Sequence, residues 1–557
     1  MQCLTAFRVG LVGVLAASLL AAGCASQQRD ERGVGASALF ENMGGHTRTI
    51  TTSSPHAQEH FNQGLAWLYG FNHDEAIRSF QKAQRADPSC AMAWWGEAYA
   101  RGLHINNPQM GEEQSRLAYR AARQALRRIG TVSPVERALI RAVVQRYAWP
   151  VPKDRRPLDE AYAAAMGEAY RAFPNDSDVG ALYAESLMNL QPWDMWTHDG
   201  QPKHRTLEIV DVLEHVLAIA PDHPGANHFY IHAVEASPWP ERATPAAERL
   251  STLVPGSGHL VHMPSHIFIR TGRYSDAAVS NERAIAADEA YFAVAPPPDF
   301  YSLYFLHNVH FLAYASMMEG QYATALAAAR KIEREIPEEF LRKNVGFADG
   351  FMPTTLHVMV RFGKWDDILG EPEPPEWRLL SRAEWHYARA VALANLHRID
   401  EARRELARFE SVAAQIGEGW YMGNNPATSV IGIARNMAAG EIAFKSGERE
   451  RAFALLREAV AMEDLLVYDE PPGWMQPVRH ALGALLLSDG RASEAEEVYR
   501  KDLEKHANNG WALIGLQQAL AAQGRTAEAD AIRPALEAAW ARADVRPTAS
   551  CYCHEGG

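Results

Sequence analysis

From residue 57 onward the apolar and small residues repeat with a period of about 34, each period long enough for two helices and a turn. Residues 57–90 carry Gly64, Trp67, Ala76, Phe80, Ala83 and Pro88 at spacings that return downstream. Ala243, Ala247, Leu250 and Pro255 mark one copy. The turn between the two helices of a period recurs as Gly272 to Ala277, Gly320 to Ala325, Gly363 to Ile368, Gly447 to Ala452, Gly490 to Ala495 and Gly524 to Ala529. His397 to Ala402 is a degenerate version of it. Counting from these anchors, periods begin near 57, 91, 177, 224, 258, 306, 349, 383, 433, 476 and 510, with insertions over 103–176 and 189–206. Ser133-Pro-Val-Glu136 is a capping box that opens an extra helix. No long alternating pattern predicts a sheet, and the short apolar runs fit buried helices.

The spacing of Gly64, Trp67, Ala76, Phe80, Ala83 and Pro88 resembles the tetratricopeptide repeat. That pattern places small residues at repeat positions 8, 20 and 27, large ones at 11 and 24, and proline at 32. The resemblance implies an all-α solenoid, a right-handed superhelix of helix pairs whose first (A) helices line a concave groove. Positions 8 and 20 sit where the two helices of a pair cross, so only small side chains fit there. The proline ends the second helix because it has no N–H to continue the ladder. In this family groove residues fall at positions 2, 5, 9, 12 and 13, one stripe of the A helix.

The N-terminus reads differently. Arg8 is followed by an apolar run from Val9 to Leu20, then small residues and Cys24, a secretory signal too short to span a bilayer comfortably. The Leu20-Ala-Ala-Gly-Cys24 ending resembles the bacterial lipobox, with Ala21 where leucine is commonest. The resemblance implies lipidation (palmitate among the chains) at Cys24 and a cell-envelope protein anchored in the outer membrane. The expected division is 1–23 signal peptide, 24–56 flexible tether, 57–375 repeats with insertions and a His-rich groove, 376–545 C-terminal repeats and 546–557 tail. No other segment is long and apolar enough to span. Cys90, Cys551 and Cys553 are too few and too eccentric for a disulfide framework.

Composition narrows the class. The chain has 557 residues, 47% hydrophobic and 22% charged, which excludes a disordered or collagen-like protein. A net charge of −13 argues against a generic nucleic-acid binder, which needs a basic face. There is no GxSxG, P-loop, dinucleotide-binding or CxxCH motif.

Histidine is the residue out of place. A uniform scatter of the 22 histidines puts about two in the groove positions. Nine fall there, on a register set from Gly, Ala and Pro alone: His228, His232, His259, His262, His266, His307, His310, His357 and His480. His228 and His232 are i,i+4 on one helix face, continued by Glu235, and His262 and His266 repeat that spacing after His259. His307 and His310 are i,i+3. Helix axes 8–10 Å apart let imidazoles of adjacent helices converge. Neutral imidazole is a common ligand for zinc, copper or iron, with Glu235 as carboxylate ligand or base. The order HxxxHxxE is not the HExxH of zinc peptidases. The same cluster also suits acid–base work, a ligand-binding set, or packing between helices.

Weaker candidates are Glu185, His357 and His480 as further groove ligands, the insertion Pro192-Trp193-Asp-Met-Trp196 over the groove, the tyrosines 230, 301, 304 and 314, and a Cys551/Cys553/His554 copper or zinc tail. The reading is therefore a lipid-anchored repeat protein binding a ligand through histidines, with a transition metal as cofactor. Its alternative is a non-catalytic scaffold holding a protein or peptide in the groove. Whether it is an enzyme stays open, with the family resemblance leaning against it; an enzyme here would be metal-dependent and use the groove histidines.

Overall fold

The computed structural model describes residues 39–295 and 300–553. The signal peptide, Cys24, Pro296–Asp299 and His554 lie outside the described residues. Among those described the protein is all-α, with one minimal hairpin, Tyr421–Met422 against Asn425–Pro426.

The first helix pair shows why the repeat folds. Pro55–Tyr69 starts on Ser54, whose hydroxyl accepts from Ala57 N, with Pro55 in the first turn. It packs against His73–Ala86, where Asn72 accepts from Glu75 N and Asp74 and Glu75 face the positive end of the helix dipole. Phe80 fills the crossing. A Cβ added at Gly64 would stand 2.6 Å from its ring, and one at Gly96, in the next helix, 2.4 Å. The pattern returns at Tyr499, whose ring lies 2.4 Å from a Cβ built on Gly483 and 2.2 Å from one on Gly515. The crossing positions are therefore small because an aromatic ring from an adjacent helix already occupies the space. The capping box at Ser133 forms in full.

The turn residue is left-handed in copy after copy, with φ of +75° at Gly272, +77° at Gly320, +63° at Gly363, +83° at Gly447, +77° at Gly490 and +75° at Gly524. Two copies break the rule: His397, at +59°, and Phe71, at +56°.

The chain divides into two compact units, Met1–Ile267 with Arg283–Phe305, and Phe268–Glu282 with Leu306–Gly557. The boundary expected at 375/376 lies inside the second. In the first unit Pro55–Tyr69 pairs with His73–Ala86, Ala91–Ala100 with Glu112–Arg127, Pro134–Gln145 with Arg156–Ala172, Ser177–Met188 with Thr206–Ile219 and Pro224–Val234 with Thr244–Leu253. In the second, Leu379–Asn395 pairs with Ile399–Ala413, Ala427–Lys445 with Arg449–Asp464, Val478–Ser488 with Ala492–Lys505 and Gly510–Ala522 with Thr526–Ala539.

The segment expected to be a flexible tether is packed from residue 39 on, and so is the described part of the tail. In the tether, Arg48 is buried and pairs with Asp176 and Asp178 at 2.8 and 2.9 Å, while Phe40 stacks edge-on to Trp67. A buried guanidinium with two carboxylates fixes its backbone, so residues 39–53 belong to the first unit. In the tail, Ser550 Oγ lies 2.7 Å from the Tyr499 hydroxyl and donates to His480 O at 2.8 Å. Cys551 and Cys553 are joined as a disulfide, so in this state they offer no thiolate pair to a metal. No helix of the described residues is long and apolar enough to cross a membrane.

Candidate metal centre

The helix Pro224–Val234 is buried along its whole length. His223 caps it by accepting from Ala226 N, and Pro224 opens it. His228 and His232 then fall one above the other, and Glu235 closes the last turn. The facing element is broken: Gly258–His262 stops at Met263, Pro264 supplies no N–H, and Pro264–Arg270 starts afresh. His259 and His262 thus come from one short helix and His266 from the next.

These side chains, all in the first unit, converge. His228, His232 and His259 each bring a ring nitrogen to within 4.8 Å of the others. His228 Nε2 is 3.2 Å from His259 Nε2, and His262 Nε2 is 2.9 Å from His266 Nε2. The outer nitrogens of His228 and His232 are anchored. His228 Nδ1 lies 2.6 Å from Tyr69 O, so it carries the proton and leaves Nε2 as a bare lone pair. His232 Nδ1 lies 3.0 Å from Glu235 Oε1, and His266 Nδ1 approaches Oε2 of the same carboxylate to 2.9 Å without a hydrogen bond between the two atoms. His232 Nε2 is buried and has no hydrogen-bond partner. An unmet buried nitrogen costs about 1–3 kcal/mol. An imidazole whose far nitrogen donates to a carbonyl or carboxylate is the arrangement that orients metal-ligating histidines.

The charge states agree with ligation. Burial pushes His228 well below its ordinary value, aided by repulsion from His232, and burial also lowers His232. Both are therefore neutral at pH 7, the form that binds metals. Burial alone raises the Glu235 carboxyl, but His266 and His232 hold it below the usual carboxylate range.

Aromatic walls enclose the cluster. The Phe71 ring lies 4.5 Å from His228, 5.6 Å from His259 and 4.3 Å from His104. Tyr304 stands 4.2 Å from His259 on another side, and the Tyr301 hydroxyl accepts from His259 N and donates to Asp288. Trp193, from the insertion, meets the His232 ring edge-on at 5.2 Å. The histidines expected to line an open groove are therefore buried. Phe71 and Trp193 both hold left-handed backbones, at φ +56° and +59°. A bulky residue there pays roughly 1–2 kcal/mol. Sequence reasoning missed Phe71 and His104, although a large residue where six other turns carry glycine was a legible signal.

Glu185 accepts from Tyr99 and Asn189, both at 2.6 Å, and burial raises its pKa. His480 has both nitrogens in use, Nδ1 on Arg361 at 2.9 Å and Nε2 on Asp502 at 2.8 Å, so it is committed to packing the second unit. His307 and His310 are also residues of the second unit, where their rings meet Phe311 and Phe351. His357 is pushed down to about 4 by burial, and neither nitrogen has a hydrogen-bond partner. Its nearest carboxylate, Glu384, is 4.0 Å away and had no signal in the sequence. Tyr230 donates to Glu214.

A second close group in the first unit, His46, Asp178 and His223, is a saturated carboxylate. Asp178 accepts from Tyr69, Arg48 and both imidazoles, and the Arg48 guanidinium opposes a cation there.

Fold and site define a helical-repeat protein of tetratricopeptide type with a buried polyhistidine cluster. No protein-family model matches the chain, and no curated protein matches it. Among solved structures, a human IFIT1 dimer with m7Gppp-AAAA is similar at a TM-score of 0.30 and 12% identity, over 88% of this chain and 91% of that one. A human IFIT1 dimer with PPP-AAAA is similar at 0.29 and 11%, over 85% and 88%. Likeness at these scores carries no argument about function.

Proposed function

We propose that this chain is a repeat-type metalloprotein that holds a late first-row transition ion, zinc, copper or iron, through His228, His232 and His259. The observation that carries the reading is the inward lone pairs of His228 and His232, each fixed by an outward Nδ1 contact, to Tyr69 O and Glu235. Three nitrogen ligands leave a fourth position open, as in sites that hold a water or a substrate. Phe71 and Trp193 keep bulk water from the ion and so strengthen its electrostatic influence. The Cys24 motif supports placing this centre in the cell envelope on a lipid anchor.

Purification without a histidine tag, followed by elemental analysis, tests the reading. Bound metal is expected in the native protein, with loss in His232→Ala and His259→Ala. A native protein that carries no metal, and whose melting temperature does not rise when zinc or copper is added, refutes it. Labelled palmitate is expected in the native chain and absent from Cys24→Ser.

A further inference from the structure

We propose that Cys551 and Cys553 form a thiol–disulfide exchange site whose reacting partner is a dithiol of another protein. The inference lies wholly in the second unit and is independent of the metal-centre reading.

As a structural staple this disulfide has little to hold. It joins cysteines at a sequence separation of 2 and encloses Tyr552 alone. A cross-link stabilises chiefly by restricting the unfolded chain, and that gain grows with the length of chain enclosed, so a loop this short gains little. The tail is also anchored without it. Gln518 Nε2 donates to Thr548 O at 2.6 Å. Ser550 Oγ lies 2.7 Å from the Tyr499 hydroxyl and donates to His480 O at 2.8 Å. Tyr552 packs beside Gly363, where an added Cβ would stand 2.7 Å from it, and its ring lies 6.2 Å from that of Trp511. These contacts fix the backbone on both sides of Cys551, so the pair is presented in one place whether its sulfurs are joined or not.

The two sulfurs differ in the way exchange requires. Cys553 is 0% exposed and belongs to the hydrophobic core of the second unit. Cys551 is only partly buried against that core, so an incoming thiolate meets Cys551 first. The Cys553 backbone N–H donates to Cys551 Sγ at 3.1 Å. A hydrogen bond to the charged form favours that form, so in the open pair negative charge rests on Cys551. Apolar burial disfavours it on Cys553. Cys551 is therefore the attacking and attacked sulfur, and Cys553 the resolving one.

The exchange balances as follows. One thiolate of the dithiol attacks Cys551 Sγ; the S–S bond breaks, its electron pair passes to Cys553 Sγ, and Cys553 takes up a proton from solvent. The second thiolate of the dithiol then attacks its own sulfur in the mixed disulfide, closes the partner's disulfide and releases Cys551 as thiolate. The partner is oxidised by two electrons and the pair reduced by two, and the reverse sequence returns them.

Full-length folded protein is incubated with reduced glutathione, quenched in acid and alkylated, and the C-terminal peptide is weighed. Glutathione leaves structural disulfides closed. Here the pair is expected to open in the folded protein and to close again when glutathione disulfide is added. A pair that stays closed until urea unfolds the second unit overturns the inference. In the second arm glutathione disulfide is added to the single variants. Cys551 in Cys553→Ser is expected to form the mixed disulfide at least about 10-fold faster than Cys553 in Cys551→Ser. Equal rates, or a faster Cys553, also overturn the inference, because exchange then does not run through Cys551. The native arm decides even where a variant fails to fold.

Discussion

Replacing Phe71 first by alanine and then by glycine separates two costs that one substitution mixes. The ring is buried and touches His104, His228 and His259, so its loss removes packing that neither variant restores. Truncation of a buried Phe costs about 3–5 kcal/mol. The backbone at φ +56° is a separate matter. Alanine keeps a Cβ that crowds the following carbonyl, whereas glycine does not, and the difference is roughly 1–2 kcal/mol before glycine's larger unfolded-state entropy takes part of it back. Phe71→Gly is thus expected to be more stable than Phe71→Ala by about 1 kcal/mol, the reverse of their order at an ordinary helical site. For a unit of this size that is about 2–4 °C in the melting temperature. The assay is thermal and urea unfolding of metal-free protein, following the first unit's transition. Both variants are also expected to release metal to a chelator faster, by on the order of 10-fold, because the ligand rings lose a wall. If Phe71→Ala proves as stable as Phe71→Gly, the left-handed strain assigned to this turn is wrong.

His397 occupies the same turn position with an exposed side chain at φ +59°, so His397→Gly is expected to raise the second unit's stability by about 1 kcal/mol in urea titration. Arg48→Met leaves buried Asp178 without its guanidinium and is expected to cost about 3–5 kcal/mol, read from the first unit's unfolding midpoint. Burial raises the Glu384 carboxyl from 4.5 to about 8. Between those values the folded protein holds a proton that the unfolded chain lacks, so this group makes stability fall as pH rises through the window. Glu384→Gln is expected to flatten the decline between pH 5.5 and 8 without abolishing it, since Glu441 and Glu463 are also raised, each to about 7. An unchanged pH profile in that variant contradicts the assignment.

What the sequence made legible is what repeats or what lies on one helix. The hairpin register could be read because Gly64 and Phe80 answer each other at fixed spacing, and the same pair recurs as Gly483 and Tyr499. The convergence of His228 with His232 followed from the helical period alone. Partnerships across long separations could not be read. Arg48 reaches Asp178 over 130 residues, and His480 meets Arg361 over 119, and nothing in either local pattern announces the other. Burial of the groove positions was only partly legible, because the insertion at 192–196 was a weak candidate to lie over the groove while no local pattern announced that Phe71 forms a wall of the cluster. Trp193 lies in that insertion, and the ring that covers His232 comes from it.

The two covering residues carry the argument furthest. Phe71 and Trp193 come from unrelated segments, a repeat turn and an insertion, and each accepts a backbone that glycine holds at no steric cost. Six other copies of the Phe71 turn do use glycine. Strained conformations persist where the surroundings over-determine them, and they gather at functional sites. Both rings here reach the same group of imidazoles. Histidines that merely filled space between helices would be served as well by an unstrained turn and a smaller neighbour. Two separate costs aimed at one cluster favour a centre whose ligands must be held dry and in fixed tautomers, which is what an ion bound by buried neutral imidazoles requires.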